Sequence, residues 1–216
     1  MNMPEDIRFL AVEGVIGVGK TSLAKELAKR LNVTLIEEQF NENPFLEKFY
    51  EMPEAYAFQT QLFFLLSRHR QFQDTFVQND LFRNLVISDY TFDKDRIFAF
   101  QNLSESELGM YETVSEALSK NAPVPDLIVY LQASVPTLLK RIQKRGRSME
   151  RTIEPRYLRE LTERYNHHFF HYRESPVLII NTDHIDFVHN EGHLQQVLNA
   201  IESCPSQTTY FVPEGG

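Results

Sequence analysis

Along the 216-residue chain the apolar positions gather into five short runs: Phe9 to Glu13, Val33 to Glu37, Leu85 to Ser88, Leu127 to Leu131 and Val177 to Asn181. Each run is nearly continuous rather than alternating, the pattern of strands buried on both faces of a parallel sheet. Between the runs the spacing changes to that of helices. After Lys20, the residues Leu23, Leu27 and Leu31 recur every fourth position and predict one helical stripe. A long helix is predicted from Ala55 to Gln78, carrying Leu62, Leu65, Leu66, Phe72 and Phe76. Ser104 with Glu107 reads as a capping box that opens a helix toward Leu118. Pro155 to Tyr172 and Asn190 to Ile201 supply two more. Strands alternating with helices predict an α/β fold with a five-stranded, mainly parallel sheet. No repeat, low-complexity tract or long linker divides the chain, so residues 1–216 read as one domain.

Composition narrows the partners. With 22 basic against 30 acidic side chains the net charge is −8. That surplus of anions disfavours nucleic acid and anionic membrane as general partners. The single cysteine, Cys204, excludes an intramolecular disulfide framework and a thiolate metal cage. The opening MNMPEDIRFLAVEG has no basic stretch followed by a long apolar one, and no apolar run nears the roughly 20 residues of a membrane span. A soluble, cytoplasmic protein is the expectation.

The most specific local pattern is GVIGVGKT, Gly14 to Thr21, which matches G-x-x-x-x-G-K-[ST]. Gly14, Gly17 and Gly19 let the backbone wrap a phosphate chain with amide hydrogens turned inward and a helix N-terminus behind. Lys20 then reaches the β- and γ-phosphates, and the Thr21 hydroxyl can ligate Mg²⁺. The motif follows a predicted strand and opens a predicted helix, so a nucleoside triphosphate ligand is expected. A GTPase would carry DxxG and NKxD, and an ABC-type ATPase an LSGGQ-like signature; the sequence has none of these. It has instead six of its 22 basic residues within twelve positions: Lys140, Arg141, Lys144, Arg145, Arg147 and Arg151. Phosphoryl transfer is catalysed mainly by positioning and by cations around the transferring group. Arginines on a flap that closes and reopens supply both, which favours a small-molecule kinase.

With these residues in hand the chain resembles the deoxynucleoside kinase family, from about Phe9 to Phe187. The landmarks run in family order: EGVIGVGKTS, EQFNENPF, FQTQLFFLLSRHRQ, SDYTFDKDRIFA and YLQASVPTLLKRIQKRGRSME. The resemblance implies a P-loop sheet with a helical, arginine-rich lid at about 141–151, ATP and Mg²⁺ as cofactors, a deoxynucleoside as substrate, and a homodimer. It makes Glu38 the general base toward the substrate 5′-hydroxyl, and Tyr50 and Glu150 the grip on the sugar 3′-hydroxyl. Gln61 would hydrogen-bond the base, with Arg68 and Asp95 a charged pair beside it. Phe58, Phe63 and Phe64 read as core. The resemblance further gives Arg141, Arg145 and Arg147 to the phosphates, with Arg145 also placed to stack on adenine. Asp186 and Phe187 fall to the adenine loop. Asp89 is a Walker B-like partner of Thr21 at Mg²⁺, and Ser22 completes the phosphate loop.

One departure stands out. The family places an arginine after the acidic residue that ends the third strand, but here the triplet is Asp89-Tyr90-Thr91. A phenol is neutral at pH 7, so another cation is expected near the 5′-hydroxyl. Lys94, read as a loop residue leaving that strand, is the expected replacement, with Arg96 as rival. The pairs His167/His171 and His189/His193 have zinc-like spacing but no matching third ligand, and read as surface histidines. The function expected is transfer of the ATP γ-phosphate to a deoxynucleoside 5′-hydroxyl in nucleotide salvage, with a purine preferred on the likeness of the ENP segment to deoxyadenosine-type kinases. A thymidylate-type monophosphate kinase and a non-catalytic nucleotide-binding subunit stay open as alternatives.

Overall fold

All five apolar runs form strands: β1 (Phe9–Gly14), β2 (Thr34–Ile36), β3 (Val86–Ser88), β4 (Leu127–Gln132) and β5 (Val177–Asn181). A sixth, β6 (Thr209–Phe211), is added to the five expected. It lies at the sheet edge with Thr209 and Tyr210 exposed, so it never needed the apolar run that betrays a buried strand. The computed structural model describes residues 3–4, 6–79, 85–120, 122–203 and 206–214, without the side chains of 77–79; Cys204 lies outside them.

The strand order is β2-β3-β1-β4-β5-β6, and every pairing is parallel. Every residue of β1 and β3 is buried, as their continuous apolar character requires. The chain builds to one side of β1 with β2 and β3, then crosses to the other side for β4, β5 and β6. Sheets of this kind bind ligands beyond the carboxyl ends of the strands, where the winding reverses. Glu13 and Gly14 at the end of β1, Glu38 just past β2 and Asp89 just past β3 all lie at that end.

Among the described residues eight helices accompany the sheet: α1 (Lys20–Leu31), α2 (Leu46–Glu51), α3 (Pro53–Asn79), α4 (Lys94–Asn102), α5 (Glu105–Ser119), α6 (Val135–Arg145), α7 (Pro155–His171) and α8 (Glu191–Glu202). Leu23 and Leu27 of α1 are fully buried, and α5 carries the predicted capping box with Ser104 and Glu107. On α3, Leu65 and Phe72 are buried and Leu62 and Phe76 pack against them, but Leu66 is 48% exposed. One residue turns the helix by about 100°, so Leu65 and Leu66 cannot share a face. The predicted lid is the last turn of α6, the left-handed cap Gly146 (φ 73°) and a 3₁₀ turn at Ser148–Thr152.

Lys94 is not in a loop, contrary to the sequence reading; it is the first residue of α4. The helix escaped notice because Lys94 and Asp95 are buried beside Ile97 and Ala99, so polar residues stand where the apolar stripe should begin. Among the described residues no helix is long and apolar enough to cross a membrane.

Candidate active site

The phosphate loop is built by glycines with no room for a side chain. A Cβ on Gly14 (φ +145°) would stand 2.5 Å from the carbonyl oxygen of Leu131 on β4. One on Gly19 (φ +109°) would stand 2.7 Å from the ring of Phe187. Both positions also need a positive φ that L side chains rarely adopt. Lys20 opens α1, and its Nζ donates to the carbonyl oxygens of Gly14 at 2.7 Å and Val15 at 3.2 Å. Burial and the neighbouring Lys94 lower the Lys20 ammonium to about 8, against the pull of Glu13, Glu38 and Asp89. The Thr21 hydroxyl donates to Asp89 Oδ2, and Asp89 Oδ1 accepts from the Glu38 backbone N–H at 2.9 Å.

Glu38 is held by two cations. Lys94 Nζ donates to Oε2 at 2.6 Å, and the Arg68 guanidinium donates to Oε1, with Nε at 3.1 Å. Burial alone would raise the Glu38 carboxyl, but Lys94 and Arg68 outweigh it and hold it far below the usual carboxylate range. Arg68 is itself 3% exposed and reaches Asp95 with Nη1, so the guanidinium bridges two carboxylates. It also lies over the Phe64 ring at 4.9 Å and the Tyr90 ring at 5.5 Å. Tyr90, where the family arginine was expected, is fully buried and donates its hydroxyl to Gln71 Oε1 at 2.7 Å. Arg96 points away: its side chain is 61% exposed, and its carboxylate partner is Glu112 at 3.7 Å.

A cavity of about 100 Å³ joins these groups. Lys20, Thr21, Glu38, Tyr50, Gln61, Arg68, Asp89, Lys94, Arg145, Arg147 and Glu150 all line it. Gln61 is 2% exposed, and among the described residues its Oε1 has no hydrogen-bond partner. Asp95 is buried behind Arg68 and does not line the cavity. The sequence reading gave no role to Phe40, Phe98, Met149 or Tyr157, which also line it, nor to Thr60. Phe64, read as core, is a wall of the cavity. Apolar and aromatic residues give no chemical signal in sequence, and only the fold separates those that line a site from those that fill a core.

The lid arginines divide. Arg145 donates to Glu150 Oε2 through Nε at 3.2 Å and Nη2 at 2.6 Å, and Arg147 Nη1 donates to Oε1 at 3.3 Å. Arg147 also stacks over the Phe40 ring at 3.8 Å. Arg141 is elsewhere. It donates to the carbonyl oxygens of Val18, Thr182 and Ile185 and to the Thr182 hydroxyl, at 2.6–3.1 Å. It thus ties α6 to the phosphate loop and to the loop after β5. Phe187 is buried against Gly19, whereas Asp186 is exposed and accepts from His189 and from the backbone N–H groups of Val188 and His189. His167 and His171 are both exposed on α7.

The family described as deoxynucleoside kinase matches residues 10–204. A deoxyguanosine kinase of Bacillus subtilis (strain 168) is 38% identical over 196 residues, covering 88% of this chain and 93% of the relative. A deoxyadenosine/deoxycytidine kinase of the same organism is 31% identical over 203 residues, with 90% and 92% covered. A deoxyguanosine kinase of Lactobacillus johnsonii is 34% identical over 202 residues, with 89% and 90% covered. Among solved structures, a deoxyadenosine kinase from M. mycoides with bound dCTP superposes with a TM-score of 0.76 at 24% identity, covering 90% of this chain and 99% of that one. That likeness establishes the shared fold.

Proposed function

The chain belongs to the deoxynucleoside kinase family, and on that premise we propose that its central cavity is where ATP phosphorylates the 5′-hydroxyl of a purine deoxynucleoside, deoxyguanosine foremost. The ATP-dependent phosphorylation of deoxynucleosides is the family's reaction. The preference for guanine is our reading, supported by the two deoxyguanosine kinases at 38% and 34% identity. One observation carries the assignment of residues: the Glu38 carboxylate, Lys94 and Lys20 line one small cavity with the phosphate loop.

Glu38 accepts a hydrogen bond from the 5′-hydroxyl and orients its oxygen toward the γ-phosphorus. The O5′–P bond forms as the bond to the β–γ bridging oxygen breaks, ADP departs, and the proton passes to Glu38. A carboxylate held so far down by Lys94 and Arg68 is a weak base. It therefore takes the proton late, which a loose phosphoryl transition state allows. Lys94 stands for the absent family arginine. Lys20 exchanges the carbonyls of Gly14 and Val15 for phosphate oxygens, and Arg145 and Arg147 exchange Glu150 for the transferring group. Gln61 and Arg68 face the base, and Tyr50 and Glu150 the sugar. Thr21 Oγ1 and the Asp89 carboxylate form an all-oxygen donor set that suits a hard cation such as Mg²⁺. Bound there, Mg²⁺ would neutralise phosphate charge.

The same reading includes a homodimer. Phe100, 39% exposed on α4, borders a groove of about 700 Å³ against α7. Arg96, Glu160, Glu163 and Arg164 line that groove with both signs of charge, which lets the same patch on two copies pair with itself.

The test is a panel of deoxynucleosides and monophosphates with ATP, scored by product chromatography, for the wild type and Glu38→Gln. Phosphorylation of deoxyguanosine, with kcat lowered about 10²–10⁴-fold in the variant at unchanged ATP affinity, is expected. Phosphorylation of a monophosphate instead would make the chain a thymidylate-type enzyme, and near-normal turnover by the variant would remove Glu38 from the mechanism.

A further inference from the structure

Glu13 is the most deeply buried charged side chain near the site, and nothing in the transfer step above uses it. Its exposure is 0%, in a strand whose other residues are apolar or glycine. A carboxylate is not placed there without compensation, because burying it unpaired is strongly unfavourable. The compensation is specific. Oε1 accepts from the Thr91 backbone N–H at 2.6 Å and from the Thr91 hydroxyl at 3.0 Å, while Oε2 accepts from the Gly14 N–H at 3.1 Å. One side chain therefore pins the turn after β3 to the first glycine of the phosphate loop.

That turn leads directly to the reacting groups. Thr91 O accepts from the Lys94 backbone N–H at 3.3 Å, which starts α4, and Lys94 Nζ meets Glu38 at 2.6 Å. The path from Glu13 to Glu38 thus has three links, each a hydrogen bond between named atoms. Lys94 is 5% exposed, and its ammonium lies 5.9 Å from the centroid of the Phe98 ring. We propose that Glu13 is a positioning residue for phosphoryl transfer, fixing Lys94 against Glu38 through Thr91 while holding the phosphate loop in register with it. This rests on the kinase reading, and adds a residue that touches neither substrate.

The amide of Glu13→Gln cannot reproduce both links. With Oε1 kept toward Thr91, Nε2 faces the Gly14 N–H, donor against donor; turned over, it loses Thr91. Residues that act as one unit are non-additive when removed together. The experiment is a double-mutant cycle on steady-state rates with deoxyguanosine and ATP, using Glu13→Gln, Lys94→Met and the pair. Glu13→Gln alone is expected to lower kcat about 10–100-fold while KM for deoxyguanosine moves less than about twofold. Added to Lys94→Met it should cost at least about threefold less than it does alone, the remainder passing through Gly14 rather than Lys94. Full multiplication of the two losses, or wild-type turnover by Glu13→Gln, would overturn the proposal.

Should Glu13→Gln fail to fold, Thr91→Val removes only the hydroxyl link and enters the same cycle. A loss of about 3–10-fold is expected there, absent in Thr91→Ser and absent when Lys94 is already replaced. A loss shared by Thr91→Ser, or one that multiplies with Lys94→Met, would overturn the proposal by this route. If the wild type phosphorylates no deoxynucleoside, the kinase reading itself falls, an outcome separate from any of these.

Discussion

Lys94 and Arg96 stand two positions apart on α4 and meet opposite fates. Two residues turn a helix by about 200°, so one side chain faces inward and the other solvent. Lys94 is 5% exposed with its ammonium on Glu38, whereas the Arg96 side chain is 61% exposed. Lys94→Ala is expected to lower kcat/KM on the order of 10²-fold, as for loss of one preorganised donor. Arg96→Ala should stay within about twofold, and equal losses in the two variants would refute the distinction. Lys20 yields a prediction in pH. Its ammonium is lowered to about 8, so above that pH a growing share is neutral, and phosphate bound beside it would restore the charge. ATP binding at pH 8.5 should then take up protons, seen in calorimetry as a heat that varies with buffer ionisation enthalpy. At pH 6.5 the Lys20 contribution should vanish. Charged residues such as these were legible in the sequence because their chemistry is explicit. The direction each faces was not, since facing depends on helix phase.

The lid is the element whose parts behave least alike. Arg141 makes four donations to protein atoms, so reaching a phosphate would require it to abandon the ties that join α6 to the phosphate loop. Losing those bonds is worth about 1–3 kcal/mol net. For a chain of this size, Arg141→Ala should lower Tm by roughly 3–10 °C. Arg147→Ala removes a stacked contact and a longer bond to Glu150, and should lower kcat more than it changes Tm. Thermal melts run beside kinetics on both variants would separate the roles, and matching Tm losses would count against them. The sequence marked this element by density of charge but could not sort strut from clamp. The same limit hid α4, whose first turn is buried yet polar, and β6, which is short and exposed. Strands buried on both faces, by contrast, could be read almost to the residue.

At the scale of the molecule, the cavity of about 100 Å³ falls well below the roughly 300 Å³ at the small end of ligand pockets. Arg145, Arg147 and Glu150 of the lid line it, so the room there depends on where those side chains lie. The order β2-β3-β1-β4-β5-β6 brings residues as far apart as Glu13, Glu38 and Asp89 to one end of the sheet. Periodicity predicts the strands without their order, and the phosphate-loop pattern supplied the missing anchor. The groove between α4 and α7 sets the outer boundary of the same unit. Phe100→Asp should place a charge at that groove and convert a dimer of about twice 25.3 kDa into monomer by light scattering. A wild type that is already monomeric would dismiss the groove as an interface.

The contact of Arg147 with Phe40 has a use of another kind. The chain contains no tryptophan, so Phe40→Trp would install a lone indole fluorophore under a guanidinium, at 3.8 Å in the native pair. Its emission would report whether the ring is covered or in water, and rapid mixing with ATP would time the lid on a single turnover.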